Sequence, residues 1–258
     1  MTVDIDAPAK LTLSLRVTGR RADGYHLIDA EMVTLGWHDT LTIDPAGDGL
    51  TLAGPYADGV PLDETNLVIR ALRHVGRTAA VHVHKALPHG GGLGGGSADA
   101  AAILRWAGYG DVHSAATLGA DVSFCLVGGR ARVRGIGEIV DPLPFEALNI
   151  TLVIPPISVS TPDVYRAWDD RAGPAGDGAN DLEPAAIAVV PELARWRDRI
   201  TDAAGERPTL AGSGATWFVR GHHDLAAALP EATVVQTVTE PAPVTRNGRP
   251  AMRAADEV

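Results

Sequence analysis

The densest chemistry in this sequence lies in PHGGGLGGGSADAAAILR, residues 88–105, where six of the seven positions from 90 to 96 are glycine. Ordering that much glycine is entropically costly, so the loop must serve something that a Cβ would obstruct. The segment before it, AAVHVHKALP, alternates as a short strand, and the alanine-rich text from Ser97 onward reads as a helix. Strand, glycine loop and helix together present free backbone N–H groups and a helix N-terminus to an anion. Pro88, Gly90, Gly91, Gly92, Leu93, Gly94, Gly95, Gly96 and Ser97 are therefore candidate phosphate-binding residues, Ser97 adding a hydroxyl. No lysine follows the glycines, so the G-x-x-x-x-G-K-[ST] loop does not fit. G-x-G-x-x-G fits in several registers, but glycine-dense text matches it cheaply. A flexible linker is the plain alternative, disfavoured by the position between a strand and a strong helix.

Four other stretches carry reactive or recognising side chains. Asp121, in LGADVSF, is a carboxylate among small and apolar neighbours. It can orient or deprotonate an acceptor hydroxyl during phosphoryl transfer, or it can cap a helix. Lys10, in APAKL, can pair with Asp121 and stabilise charge on a transferred phosphoryl group, or it can be a solvated lysine at a strand edge. Gly212, Ser213 and Gly214 form a second glycine turn, for which a β-turn is the plain reading. Two such loops from different halves of a chain also suggest a ligand site between lobes. Tyr25 and His26, in DGYHLID, join an aromatic face to a ring with donor and acceptor edges. His82 with His84, and His222 with His223, lack an evident third ligand and are not read as metal sites.

The elements that must position these residues are legible in outline. LTLSLRV alternates as a half-buried strand, EMVTLGWHDTLTID continues in strand idiom, and NLVIRALRHVG is helical, with Asn66 as cap and Gly76 as stop. RARVRGIGEIV reads as a strand pair around a turn. Near residue 145 the text changes: ITLVIPP is an apolar strand, TPDVYRAWDD and PELARWRDRITDA are helices, and TWFVRG, HHDLAAAL and ATVVQTVT read as strand, helix and strand. The fold class expected is α+β in two units, residues 1–145 and 146–240, with 241–258 as a loose tail.

The 258 residues are 45% hydrophobic and carry a formal charge of −10, which excludes whole-chain disorder and disfavours a nucleic-acid surface. Cys125 is the single cysteine, so no intramolecular disulfide or cysteine-based zinc cluster can form. No apolar run is long enough to span a bilayer, and MTVDIDAPAK lacks the basic start and apolar core of a signal peptide. A cytoplasmic protein with no membrane partner is expected.

PHGGGLGGGSADAA resembles the phosphate-cradling motif of the GHMP kinases, the superfamily of galactokinase, homoserine kinase and mevalonate kinase. Within it, APAKLTLSLRVTGRRADGYH, LGADVSFCLVGGRARVRGIGE and TLAGSGATWFV resemble, in that order, segments of the 4-diphosphocytidyl-2-C-methyl-D-erythritol kinase family, from residue 7 to about 220.

The resemblance implies a two-lobe GHMP kinase fold, with an N-terminal lobe like ribosomal protein S5 and a smaller ferredoxin-like C-terminal lobe. It implies ATP as co-substrate, Mg²⁺ carried in with ATP with Ser97 as its one candidate contact, and a small cytidyl-diphosphate substrate. The reaction implied is phosphorylation of that substrate's 2-hydroxyl in the non-mevalonate isoprenoid pathway, by a monomer or weak homodimer. It makes Asp121 the base and Lys10 its partner. Tyr25 and His26 fall beside the cytidine, with Tyr165 closing the other side of the base, although a tyrosine at helical spacing can also be plain core. Thr12, Gly212 and Ser213 fall on the substrate side. Asn180 and Asp181, in ANDLE, match a recurring segment that helix capping explains nearly as well. Two departures stand out: Thr12 occupies a position where relatives usually carry asparagine, and the stretch before LGADV is short. Other small-molecule GHMP kinases, or a non-catalytic relative, are the competing readings. DGYH argues against the first, and the retained Lys10 and Asp121 argue against the second.

Overall fold

The computed structural model describes residues 1–171, 173 and 178–243. The order of elements is β1 (Val3–Arg20), β2 (His26–Asp44), β3 (Gly49–Ala53), α1 (Leu67–His74), β4 (Ala80–His84), α2 (Gly95–Trp106), α3 (Val112–Ala115), α4 (Val122–Val127), β5 (Arg130–Gly135) and β6 (Ile139–Leu143). There follow β7 (Asn149–Ile154), α5 (Thr161–Asp170), α6 (Glu183–Val189), α7 (Glu192–Ala204), β8 (Thr209–Leu210), β9 (Trp217–Arg220) and β10 (Thr233–Glu240). This is a mixed sheet with helices, an α+β fold.

The sheet runs β3-β4-β2-β10-β7-β9-β8, with β1 also paired to β2, and β5 joining β2 to β6. Only β3 and β4 run parallel among these pairs. β10 links the two parts of the sheet: its first six residues pair with β7, and Thr239 and Glu240 pair with β2.

The long β1–β2 pair shifts register between Pro8 and Lys10 and again between Thr12 and Ser14. A bulge re-aims the side chains that follow it. Ala7, Leu15 and Val17 consequently enter one buried apolar cluster while Ala9, Leu11 and Leu13 enter another. The same shifts bring Lys10 and Thr12 to the wall of one cavity. α2 presses Ala98, Ala100, Ala101 and Ala102 into the first cluster, and small side chains let its axis approach β1 closely.

Most of the expected elements are present, with differences of physical origin. α1 is capped by Asn66, whose side chain accepts from Val68 N, and the chain leaves it through Gly76 at φ +62°. α2 begins at Gly95 rather than Ser97, because Gly94 takes the left-handed conformation at the cap (φ 70°) and lets the turn close two residues early. HHDLAAAL is not a helix: residues 222–225 are irregular and 226–228 form a turn. The N–H of His223 donates to Thr151 Oγ1 at 2.9 Å, and Pro230, directly after the segment, disfavours helical geometry at Leu229. Residues 244–258 of the expected tail lie outside the described residues.

Candidate active site

The glycine loop is held in place from three sides. Leu93, its one apolar residue, is buried in the second apolar cluster with Leu87 and Leu11. Its carbonyl accepts from the backbone N–H of Lys10 at 2.9 Å. On the far side Thr216 Oγ1 donates to Gly91 O at 2.5 Å. A Cβ at Gly92 would stand 2.8 Å from Ala211 O and 3.0 Å from Gly214 O, so the second glycine turn rests directly on the first loop. A Cβ at Gly94 would stand 2.7 Å from Lys10 Cγ.

α2 has no side chain capping its N-terminus, so its first N–H groups remain available to an anion. Pro88, Gly90, Gly91, Gly92, Gly94, Gly95, Gly96 and Ser97 line a cavity of about 280 Å³, closed opposite by Pro61, Thr65, Asn66 and Leu67. Leu93 is the exception among the expected loop contacts: it faces the core as an anchor.

A second cavity, about 510 Å³, adjoins the first, and Gly92 lines both. Lys10, Thr12, Tyr25, His26, Asp121, Tyr165, Gly212 and Ser213 line this one. All the expected substrate-side residues are thus brought together. Lys10 Nζ lies 3.2 Å from Asp121 Oδ2 and donates to Thr12 Oγ1 at 3.2 Å. Lys10 is buried, whereas the Asp121 side chain keeps 31% of its surface open to the cavity. Asp121 sits at the N-cap of α4, but its carboxylate makes no capping bond, so the lysine pair prevails over the capping role. The Thr12 hydroxyl is taken up by Lys10.

DGYH forms the β1–β2 turn, with Arg21 N donating to Tyr25 O at 2.8 Å and Gly24 at φ +92°. That turn leaves Tyr25 61% exposed at the cavity mouth. His26, the first residue of β2, points inward and is gripped by α5. Its ring stacks on Tyr165 at 4.6 Å between centroids, meets Trp168 edge-on at 5.7 Å, and places Nε2 2.7 Å from Asp169 Oδ1. Arg20 pairs with the other oxygen of Asp169 at 3.2 Å. His26 and Tyr165 therefore cover each other's faces and leave no gap for a base between them. Burial, with a smaller contribution from the charge on Asp121, pushes the Tyr165 phenol up to about 12.

The turn at 212–214 is a β-turn between β8 and β9, closed by Gly214 N to Ala211 O at 3.0 Å, and it also walls the cavity. Ser213 Oγ meets Thr161 Oγ1 at 2.7 Å. Asn180 reaches under the turn, donating to Leu210 O at 2.8 Å and Gly212 O at 2.6 Å. Asp181 accepts from Val17 N and from Arg16, fastening this segment to β1. Asn180 Oδ1 also accepts from Leu182 N at 2.9 Å, just ahead of α6, so this segment starts the helix as well as holding the turn and β1. A larger concavity of about 720 Å³ is lined by Asn180 and Asp181 on their other side, but its Glu183 is already paired with Arg207 and Arg197, and neither Lys10, Asp121 nor the glycine loop lines it.

One cluster was not legible in the sequence. Lys85 Nζ donates to Asp39 Oδ2 and, at 2.7 Å, to Asp99 Oδ2, all three side chains being buried. Lys85 and Asp99 line the 280 Å³ cavity. Burial pushes the Asp99 carboxyl up to about 7, Lys85 opposing and Asp39 reinforcing that rise. Only the proximity of Asp99 to the glycine run hinted at it.

Comparison with known proteins follows the same lines. Residues 66–129 match the family described as GHMP kinases N terminal domain. A 4-diphosphocytidyl-2-C-methyl-D-erythritol kinase of Paracoccus denitrificans is 42% identical over 231 residues, covering 82% of this chain and 84% of the relative. The chain belongs to the 4-diphosphocytidyl-2-C-methyl-D-erythritol kinase family. A second family member, from Jannaschia sp., is 42% identical over 86% of this chain and 89% of its own length. A crystal structure of 4-(cytidine 5'-diphospho)-2C-methyl-D-erythritol kinase superposes with TM-score 0.73 at 30% identity, covering 92% of this chain and 99% of that one. A homoserine kinase of Cytophaga hutchinsonii shares the fold at TM-score 0.62 and 18% identity, with 93% and 95% coverage. The chain is thus a GHMP-type kinase by family.

Proposed function

We propose that this chain transfers the γ-phosphoryl group of ATP to the 2-hydroxyl of 4-diphosphocytidyl-2-C-methyl-D-erythritol, a step of the non-mevalonate isoprenoid pathway. The observation that carries this reading is the Lys10–Asp121 pair in the larger cavity, beside Gly92, where it meets the glycine-loop cavity. ATP's phosphates lie along residues 90–97, received by the N–H groups at the start of α2. The acceptor fills the larger cavity with its hydroxyl toward Asp121.

Asp121 takes the proton of the 2-hydroxyl as that oxygen bonds to the γ-phosphorus, and the bond to the β,γ-bridging oxygen breaks to release ADP. Lys10, fixed by Thr12 and by its own backbone bond to Leu93, offsets negative charge on the phosphoryl oxygens in transit. The exposed ring of Tyr25 is the stacking platform for the cytosine, and His26 shapes the inner wall, backed by Tyr165. Mg²⁺ travels with ATP. Among the described residues no group of three His, Cys, Asp or Glu side chains is arranged to hold a metal, while Ser97 lines the phosphate cavity. That composition suits an ion held chiefly by phosphate oxygens and water. When bound, the ion neutralises charge on the β- and γ-phosphates.

We read residues 1–145 as the N-terminal lobe, like ribosomal protein S5, and 146–240 as the ferredoxin-like lobe that closes the cavity through α5 and the 212–214 turn. The test is ADP release from ATP and Mg²⁺ with the cytidyl compound, mevalonate, homoserine or galactose as acceptor. Release with the cytidyl compound alone is expected. Release with another acceptor would move the substrate and keep the kinase. Nucleotide binding without release for any of them would make the chain a non-catalytic relative.

A further inference from the structure

Asp39 is fully buried and sits at the centre of a small network that serves no step described above. Its Oδ1 accepts from the backbone N–H groups of Ala86 and Leu87 at 2.6 and 2.8 Å, and its Oδ2 accepts from Lys85 Nζ. Lys85 in turn donates to Asp99, on the second turn of α2. Residues 85–87 lead into the glycine loop and Asp99 lies just beyond it. The network therefore ties both stems of the loop to each other and to β2. Lys85 and Asp99 line the cavity assigned to the nucleotide, and Lys85 Nζ would stand 3.5 Å from a Cβ at Gly95.

A buried lysine flanked by two carboxylates is a poor device for stability, because desolvating the ions offsets most of their attraction and an apolar replacement is often neutral or better. One Asp99 oxygen is buried without any partner, which raises the cost further. What such a network does supply is fixed geometry. The N–H groups at the start of α2 converge on an anion only if the exit of β4 and the first turns of α2 keep one separation, and the glycines between them cannot impose it.

We propose that Asp39, acting through Lys85 with Asp99, is a positioning residue for the nucleotide, setting the shape of the phosphate loop without touching the acceptor. The proposal rests on the nucleotide assignment above but not on the identity of the acceptor.

The experiment is calorimetric binding of Mg²⁺ with a non-hydrolysable ATP analogue, and separately of the cytidyl-diphosphate acceptor, to the wild type and two variants. Asp39→Asn can still accept from Ala86 and Leu87, but it turns an amide toward Lys85 and displaces it. The triple change D39N/K85M/D99N removes the buried charges of the network, and a cooperative melt verifies that it folds. Both variants are expected to bind the nucleotide analogue about tenfold or more weakly, since small misplacements at such sites are costly, with acceptor affinity unchanged within error. Folded variants with wild-type nucleotide affinity, or equal loss for both ligands, would overturn the proposal. Wild-type protein that binds nucleotide but not the cytidyl compound would sink the acceptor reading alone.

Discussion

The backbone N–H of Lys10 donates to the carbonyl of Leu93 at 2.9 Å, while the Lys10 ammonium lies 3.2 Å from Asp121. One residue of β1 thus joins the glycine loop to the carboxylate assigned as base. The register shift between Pro8 and Lys10 makes this geometry available, and the left-handed turn at Gly94 brings the loop close enough to use it. The spacing between the glycine loop and Asp121 is thus set by a single strand segment rather than by two independent loops.

Asp121→Asn keeps the shape of the site and removes the base. Turnover is expected to fall by a factor of about 10² to 10⁴, with affinity for both substrates nearly unchanged. Steady-state kinetics paired with calorimetry checks this, and near-normal turnover would remove the base assignment.

Gly94→Ala places a Cβ 2.7 Å from Lys10 Cγ at a φ of +70°. The left-handed conformation alone costs about 1–2 kcal/mol for a residue with a side chain, and the crowding displaces Lys10. A lower melting temperature together with reduced turnover is expected. Gly110, where a Cβ would meet nothing within 4 Å, is the control: Gly110→Ala should change neither.

Tyr25 and His26 are adjacent in sequence but differ in role. Tyr25→Ala removes an exposed ring, so stability should hold within about 0.5 kcal/mol, while loss of one base stack weakens the acceptor by about 1–3 kcal/mol. His26→Ala removes the stack on Tyr165 and the bond to Asp169, and should lower both stability, by about 2 kcal/mol, and acceptor affinity. Urea melts and acceptor titrations of the two variants separate these effects. Equal stability loss in both would contradict the division.

Much of this arrangement was legible before the structure. The glycine loop stands out by composition, whereas Lys10, Asp121 and the 212–214 turn each have an ordinary reading alone, as a strand-edge lysine, a helix cap and a β-turn, and draw their expected roles from the family resemblance. Asp39 and Lys85 read as ordinary charged residues, one inside a strand and one just past a strand end, and only the sheet register and the loop's return bring them together. The grip of α5 on His26 was hidden for the same reason, since a strand residue and a helix some 140 positions later meet only in three dimensions. HHDLAAAL reads as a helix because alanine and leucine favour one locally, whereas Pro230 disfavours helical geometry at its last residue.

Cys125 is buried, and burial pushes its thiol up to about 12 from an ordinary value of 9. Because the folded state holds the proton more tightly, this contribution to stability is complete below pH 9 and is lost as pH rises toward 12. The native thiol should resist a thiolate-directed alkylating reagent at pH 8 and react at the rate of unfolding. Prompt labelling of the folded protein would contradict its placement.

The most direct measurement is ³¹P NMR of a reaction containing ATP, Mg²⁺ and 4-diphosphocytidyl-2-C-methyl-D-erythritol. A new phosphomonoester resonance is expected to grow in step with ADP while the diphosphate of the acceptor remains intact, and with the Asp121→Asn variant neither the monoester nor ADP should appear. ADP accompanied only by inorganic phosphate, or a monoester formed equally well without Asp121, would contradict it.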